Sequence, residues 1–149
     1  MMIPLRQILN KGATLTVEVY GDVQEPLAIV IRKGERVDGI KFFCPDASPL
    51  QLGLMSRNAG YEVKAHIHNE VERQIGVTQE VLLLRKGSCQ VNLFGSGTQL
   101  ISQIVMSEGD VILLANGGHE IIMIEDCEIL EIKQGPYFPG QDKRFLETS

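Results

Sequence analysis

The chain has 149 residues, 44% apolar and 22% charged, with a net charge of −5, which is one domain's length with enough apolar surface for a core. The acidic balance and the lack of any basic run argue against a nucleic-acid partner, and no stretch approaches the ~20 apolar residues of a membrane helix. Cys44, Cys89 and Cys127 are odd in number and widely spaced, so they form neither a disulfide framework nor a thiolate zinc site; with no signal-peptide core in the opening MMIPLRQILNKG, the expectation is a cytoplasmic protein.

The dominant period along the chain is two. In Ala13–Tyr20, Leu15, Val17 and Val19 alternate with Thr14, Thr16 and Glu18, the pattern of a half-buried strand. Leu27–Arg32 (LAIVIR) is a second β-rich run. The stretch FFCPDASP, Phe42–Pro49, is a joint between an N-terminal β-hairpin region and the main body of strands. Leu50–Met55 comes next, then YEVKAHIH, whose alternation and missing helix cap suit an extended segment. Val81–Leu84, Cys89–Phe94, Leu100–Met106, Val111–Leu114, Glu120–Ile124 and Glu128–Ile132 complete the series. Turn chemistry separates them: KGS at Lys86–Ser88, GSG at Gly95–Gly97, EGD at Glu108–Asp110, NGG at Asn116–Gly118 and EDC at Glu125–Cys127. Short strands at such spacing predict an all-β sandwich or barrel. The tail from Gly135 is punctuated by Pro and Gly and reads as loop, with room for one short helical turn. The expected division is a β extension over 1–48, a barrel over 49–134 and a tail over 135–149.

All three histidines fall where chemistry is plausible. In His66-Ile67-His68, residues two apart share a face only if the segment is extended; two neutral imidazoles on one face can then grip one ion. The plain alternative is an exposed or hydrogen-bonded pair. Glu80 and His119 each open an apolar strand, with same-parity neighbours Leu82 and Leu84, and Ile121 and Met123. Parity sends both side chains toward the core, where each needs a partner. A shared metal or an ordinary hydrogen bond would serve.

These residues carry a resemblance to the cupin superfamily. Gly60, five residues, His66-x-His68, a gap, Glu80, six residues and Gly87 resemble its first motif, and Gly109 through His119 resembles the second. The departures are an eleven-residue gap between His68 and Glu80, longer than usual, and Ala115 where a proline is common. The spacing to His119 is also one residue short, and the asparagine that commonly comes after is absent. Glu70 and Glu72 compete with Glu80 for the carboxylate position. GIKFF, HIHNEV, TQEVLLL and EIKQGPY further resemble small bacterial cupins of undefined activity, some found among surface-polysaccharide genes.

The resemblance implies a double-stranded β-helix, the cupin jelly-roll barrel, with the N-terminal β-hairpin as an extension. It also implies a divalent ion (Zn, Fe, Mn or Ni) held by His66, His68, Glu80 and His119. Arg73, Gln79, Lys133 and Tyr137 are the polar candidates for the mouth of such a site: a cation could hold an anionic substrate and a tyrosine could serve as a general acid. The expected function is a metal-dependent isomerase or lyase acting on a small sugar or keto acid. A metal-free epimerase, with a histidine base and Tyr61 or Tyr137 as acid, and a non-catalytic binding or sensing module are the alternatives. A two-fold homodimer is expected as the commonest assembly.

Overall fold

The structure is a computed structural model and describes residues 15–147. Ala13 and Thr14, the start of the first expected strand, lie outside the described residues, as do the chain's remaining N-terminal residues and its last two. In chain order the strands are β1 (Val17–Gly21), β2 (Pro26–Ile31), β3 (Gly39–Phe42), β4 (Gly53–Ser56), β5 (Glu80–Lys86), β6 (Ser88–Phe94), β7 (Leu100–Ser107), β8 (Val111–Leu114), β9 (Gly118–Met123) and β10 (Glu128–Lys133). Among the described residues there is no helix, so none is long and apolar enough to cross a membrane. The helical turn allowed for in the tail is absent too; two prolines and the glycines at 135 and 140 interrupt any helical run there.

The described residues form two compact units, one from residues 15–35 with 77–147, the other from residues 36–76. The larger holds a five-stranded antiparallel sheet, ordered β1-β2-β8-β5-β10, and a three-stranded one, ordered β7-β6-β9. Neither closes on itself among the described residues. The hairpin expected at the N-terminus is β1–β2, and β2 pairs directly with β8, so this hairpin is part of the large sheet.

The core lies between the two sheets and follows strand parity. Ala28 and Val30, Leu82 and Leu84, and Ile112 and Leu114 come from one sheet; Cys89, Val91 and Leu93, with Ile104 and Met106, come from the other. On β7 the partners of that alternation, Gln103, Val105 and Ser107, are exposed. β2 and β8 lack alternation because they are buried on both faces: Ile29, Ile31 and Leu113 on the far side are buried as well. That is why they read as unbroken apolar runs.

The turn between β5 and β6 is tight. Gly87 has φ +84°, and a Cβ there would lie 2.3 Å from the Asp126 carbonyl oxygen. Only glycine meets both conditions.

The smaller unit is a two-stranded hairpin, β3 with β4, pairing Gly39 with Ser56 and Phe42 with Gly53. None of its residues is buried. YEVKAHIH, expected to be extended strand, carries no strand in the structure. A strand is stabilised by hydrogen bonds to a neighbour, and no other strand pairs with this segment among the described residues.

Candidate metal and acid–base site

The site is built where β5 and β9 begin. Glu80 stands opposite Leu114 on β8 and Lys133 on β10. His119 stands opposite Leu93 on β6. Directly paired residues share a face, so Glu80 lies on the core face of one sheet and His119 on the core face of the other, as their parity required. The two meet at the rim: His119 Nε2 is 3.1 Å from Glu80 Oε2, with the side chains 33% and 20% exposed. The imidazole N–H donates to the carboxylate.

Two more of the expected residues stand beside this pair. Lys133 Nζ is 3.9 Å from Glu80 Oε1 and 3.4 Å from Glu131 Oε1. It also lies over the Tyr137 ring, 5.9 Å from its centre. The His119 hydrogen bond holds the Glu80 carboxyl below the usual glutamate range; partial burial works against this, and the Lys133 and Lys143 charges add to it. The Glu131 charge above all raises the Lys133 ammonium, with Glu80 and Asp142 contributing.

Gln79 is only 3% exposed and has opposite parity to Glu80, so it faces away from the core. Its backbone N–H donates to Gln134 Oε1 at 2.6 Å and its Nε2 to the Ala115 carbonyl at 3.2 Å. It ties the start of β5 to the ends of β8 and β10. Gln79 Oε1 and Gln134 Nε2 are buried without a hydrogen-bond partner among the described residues.

His66 and His68 belong to the smaller unit. Their rings stand edge to face with centroids 5.2 Å apart, and both residues are exposed. His66 Nδ1 lies 2.8 Å from the Lys64 carbonyl oxygen. A carbonyl can only accept, so Nδ1 is the donor in this contact. Arg73 donates to the Val71 carbonyl at 3.3 Å, and Glu70 and Glu72 are exposed. The ring of Tyr61 lies under the Arg57 guanidinium at 4.5 Å.

The four expected ligands thus divide two and two between the units. Among the described residues no three His, Cys, Asp or Glu side chains stand close enough to hold one ion. Two neighbouring ligands bonded to one ion at ~2.1 Å and at right angles stand about 3 Å apart, close to the observed spacing of Glu80 and His119.

Gln134, Lys143 and Leu146 were not singled out from the sequence. Parity and glycine–histidine spacing marked the strand residues, but a tail without periodicity gave no comparable signal. No family model matches the chain, and no curated protein or solved structure is significantly similar to it.

Proposed function

We propose that the chain is a cupin-type protein that holds a divalent metal through His119 and Glu80 together with His66 and His68, and acts on a small polar metabolite, a sugar or a keto acid, as an isomerase or lyase. The observation that carries this reading is the contact between Glu80 and His119, 3.1 Å apart on facing sheets. Two side chains 39 residues apart in sequence converge at the open end of one core, with the N–O spacing of neighbouring ligands. The jelly-roll reading draws support from the chain path, which passes from the large sheet to the small one at β5–β6, back at β7–β8, and across again at β8–β9 and β9–β10.

When bound, the ion would polarise a substrate carbonyl or acidify a coordinated water. The chain's own groups set the rest. Lys133, kept charged by Glu131, would steady a carboxylate or phosphate on the substrate. Tyr137, beside it and mostly exposed, can deliver a proton at the mouth. A two-fold homodimer goes with this reading, supported by the exposed apolar residues Ile40, Phe42 and Met55 of the β3–β4 hairpin.

The test is the metal content of protein purified without added metal. We expect near-stoichiometric zinc, iron, manganese or nickel, falling several-fold in His119→Ala and His66→Ala while the melting midpoint of apoprotein holds. A folded chain that takes up none of these ions on loading sinks the proposal.

The same hydrogen bond favours a second reading, metal-free proton transfer. An imidazole oriented by a carboxylate is the arrangement of a general base, with Tyr137 as the acid. Chelator-treated protein would then exchange the α-proton of a keto sugar or keto acid into deuterated water, and His119→Ala would not. Absence of exchange across such a panel removes this reading.

A further inference from the structure

In the smaller unit, the β3–β4 hairpin ends where Gly39 faces Ser56. A cavity of about 360 Å³ opens there, lined by Val37, Asp38, Ser56, Arg57, Asn58 and Tyr61. Asp38 and Arg57 follow on from that last pair, one on each chain, so they stand in register across the hairpin's end. Opposite charges so placed ordinarily attract into a cross-strand pair. These two do not: among the described residues neither forms a salt bridge or a hydrogen bond.

The Arg57 guanidinium is taken up elsewhere. It lies over the Tyr61 ring, 4.5 Å from its centre. It also packs on the bare Cα of Gly39, where a Cβ would stand 2.7 Å from Nη1. A turn holds Tyr61 in position for this contact. Its N–H donates to the Asn58 carbonyl at 3.1 Å, and Gly60 supplies the positive φ, +87°, that the third position of such a turn requires. One cavity is thus lined by a cation and an anion that do not neutralise each other.

We propose that this cavity binds a small zwitterion of the amino-acid class, its carboxylate on Arg57 and its ammonium on Asp38, at a site that includes none of the candidate metal ligands. A guanidinium alone would accept any anion, and a carboxylate alone any cation. Both signs, unpaired on one cavity, match a molecule that carries both. The guanidinium fork suits a carboxylate in particular, and its hold on Tyr61 and Gly39 reduces the freedom lost on binding. Cavities that take small molecules begin at roughly 300 Å³, so this one admits a free amino acid. Val37 and the Tyr61 ring offer its side chain apolar surface, and Ser56 and Asn58 offer a hydroxyl and an amide.

The test is a titration of the full chain, isotope-labelled and in the presence of chelator, with L-alanine, L-serine and L-phenylalanine. It is read on the amide resonances of Asp38, Gly39, Arg57 and Tyr61. At least one of the three should move these signals saturably, with a Kd of about 1 mM or below. Acetate and methylamine, separately or mixed, should bind at least tenfold more weakly. Arg57→Gln and Asp38→Asn should each weaken the amino acid by tenfold or more, with the Lys41 and Met55 signals reporting that the hairpin persists. Should either variant lose those signals, the comparison with acetate and methylamine decides alone. No saturable shift with any of the three at about 50 mM overturns the proposal, and so does acetate binding as tightly as the amino acids. The metal content of the protein is a separate measurement on other residues, so either reading can fail while the other stands.

Discussion

Arg32 is the residue on which the base of the larger unit turns. Its Nε bonds Glu18 Oε1 at 2.8 Å, and its Nη1 bonds Asp110 Oδ2 at 2.9 Å and the Val105 carbonyl at 2.8 Å. Both carboxylates are buried. Asp110 also accepts from the backbone N–H groups of Lys33 and Ser107, so one aspartate fixes the turn after β7 to the end of β2. Removing one partner from buried charges costs about 3–5 kcal/mol; Arg32 is itself partly exposed and Asp110 keeps its backbone donors, so Arg32→Ala should lower stability by about 2–3 kcal/mol in urea titration. Glu80 makes a pH-dependent contribution. His119 holds its folded pKa below the usual glutamate value. Its stabilisation is therefore full above that usual range and is lost as pH falls from there through the lowered folded value. The stability gap between the parent and Glu80→Gln should be widest above the usual glutamate range and should narrow as the solution is acidified below it. A gap that widens on acidification would contradict this sign.

At the scale of elements, the strands were readable because their burial is regular. In β7 burial alternates from Gln103 to Ser107; β2 does not alternate and is buried on both faces. Two elements escaped such reading. β3 is short and mostly exposed, and the joint FFCPDASP obscures its end. YEVKAHIH has the alternation of a strand without a neighbour to pair with, and periodicity reports a side-chain pattern whether or not a partner exists. Glu80 and His119 were placed by parity alone, and parity suffices when both strands truly pair. Nothing comparable could foresee Leu146 against Gly118, since that contact depends on how an aperiodic tail returns. Motif spacing likewise marked Gly60 and Gly87 without distinguishing them. Both have positive φ, but a Cβ at Gly87 meets the Asp126 carbonyl, whereas one at Gly60 meets nothing within 4 Å. Gly60→Ala should cost only the ~1–2 kcal/mol of a left-handed backbone. Gly87→Ala should cost clearly more, because backbone must move as well. Equal melting shifts for the two would show that the turn relaxes freely.

For the whole molecule, the division of the four candidate ligands between two units becomes a prediction about dynamics. The larger unit owns the buried core, and the smaller contributes no buried residue. Backbone amides exchange slowly where bonds are buried and cooperative, and quickly where they are not. In metal-free protein the amides of β2, β5, β6 and β8 should be the slowest, and those of residues 62–76 should exchange at the earliest times. If an ion then binds His66 and His68 on one unit and Glu80 and His119 on the other, its binding energy is spent partly on ordering the segment between His68 and Glu80. Exchange in residues 62–76 should therefore slow by at least tenfold on adding zinc or manganese, with His119→Ala abolishing the effect and the core strands gaining little. Slowing that survives His119→Ala would place the ion on the His66–His68 pair alone. No slowing at saturating metal would mean that the two halves of the motif never join around one ion.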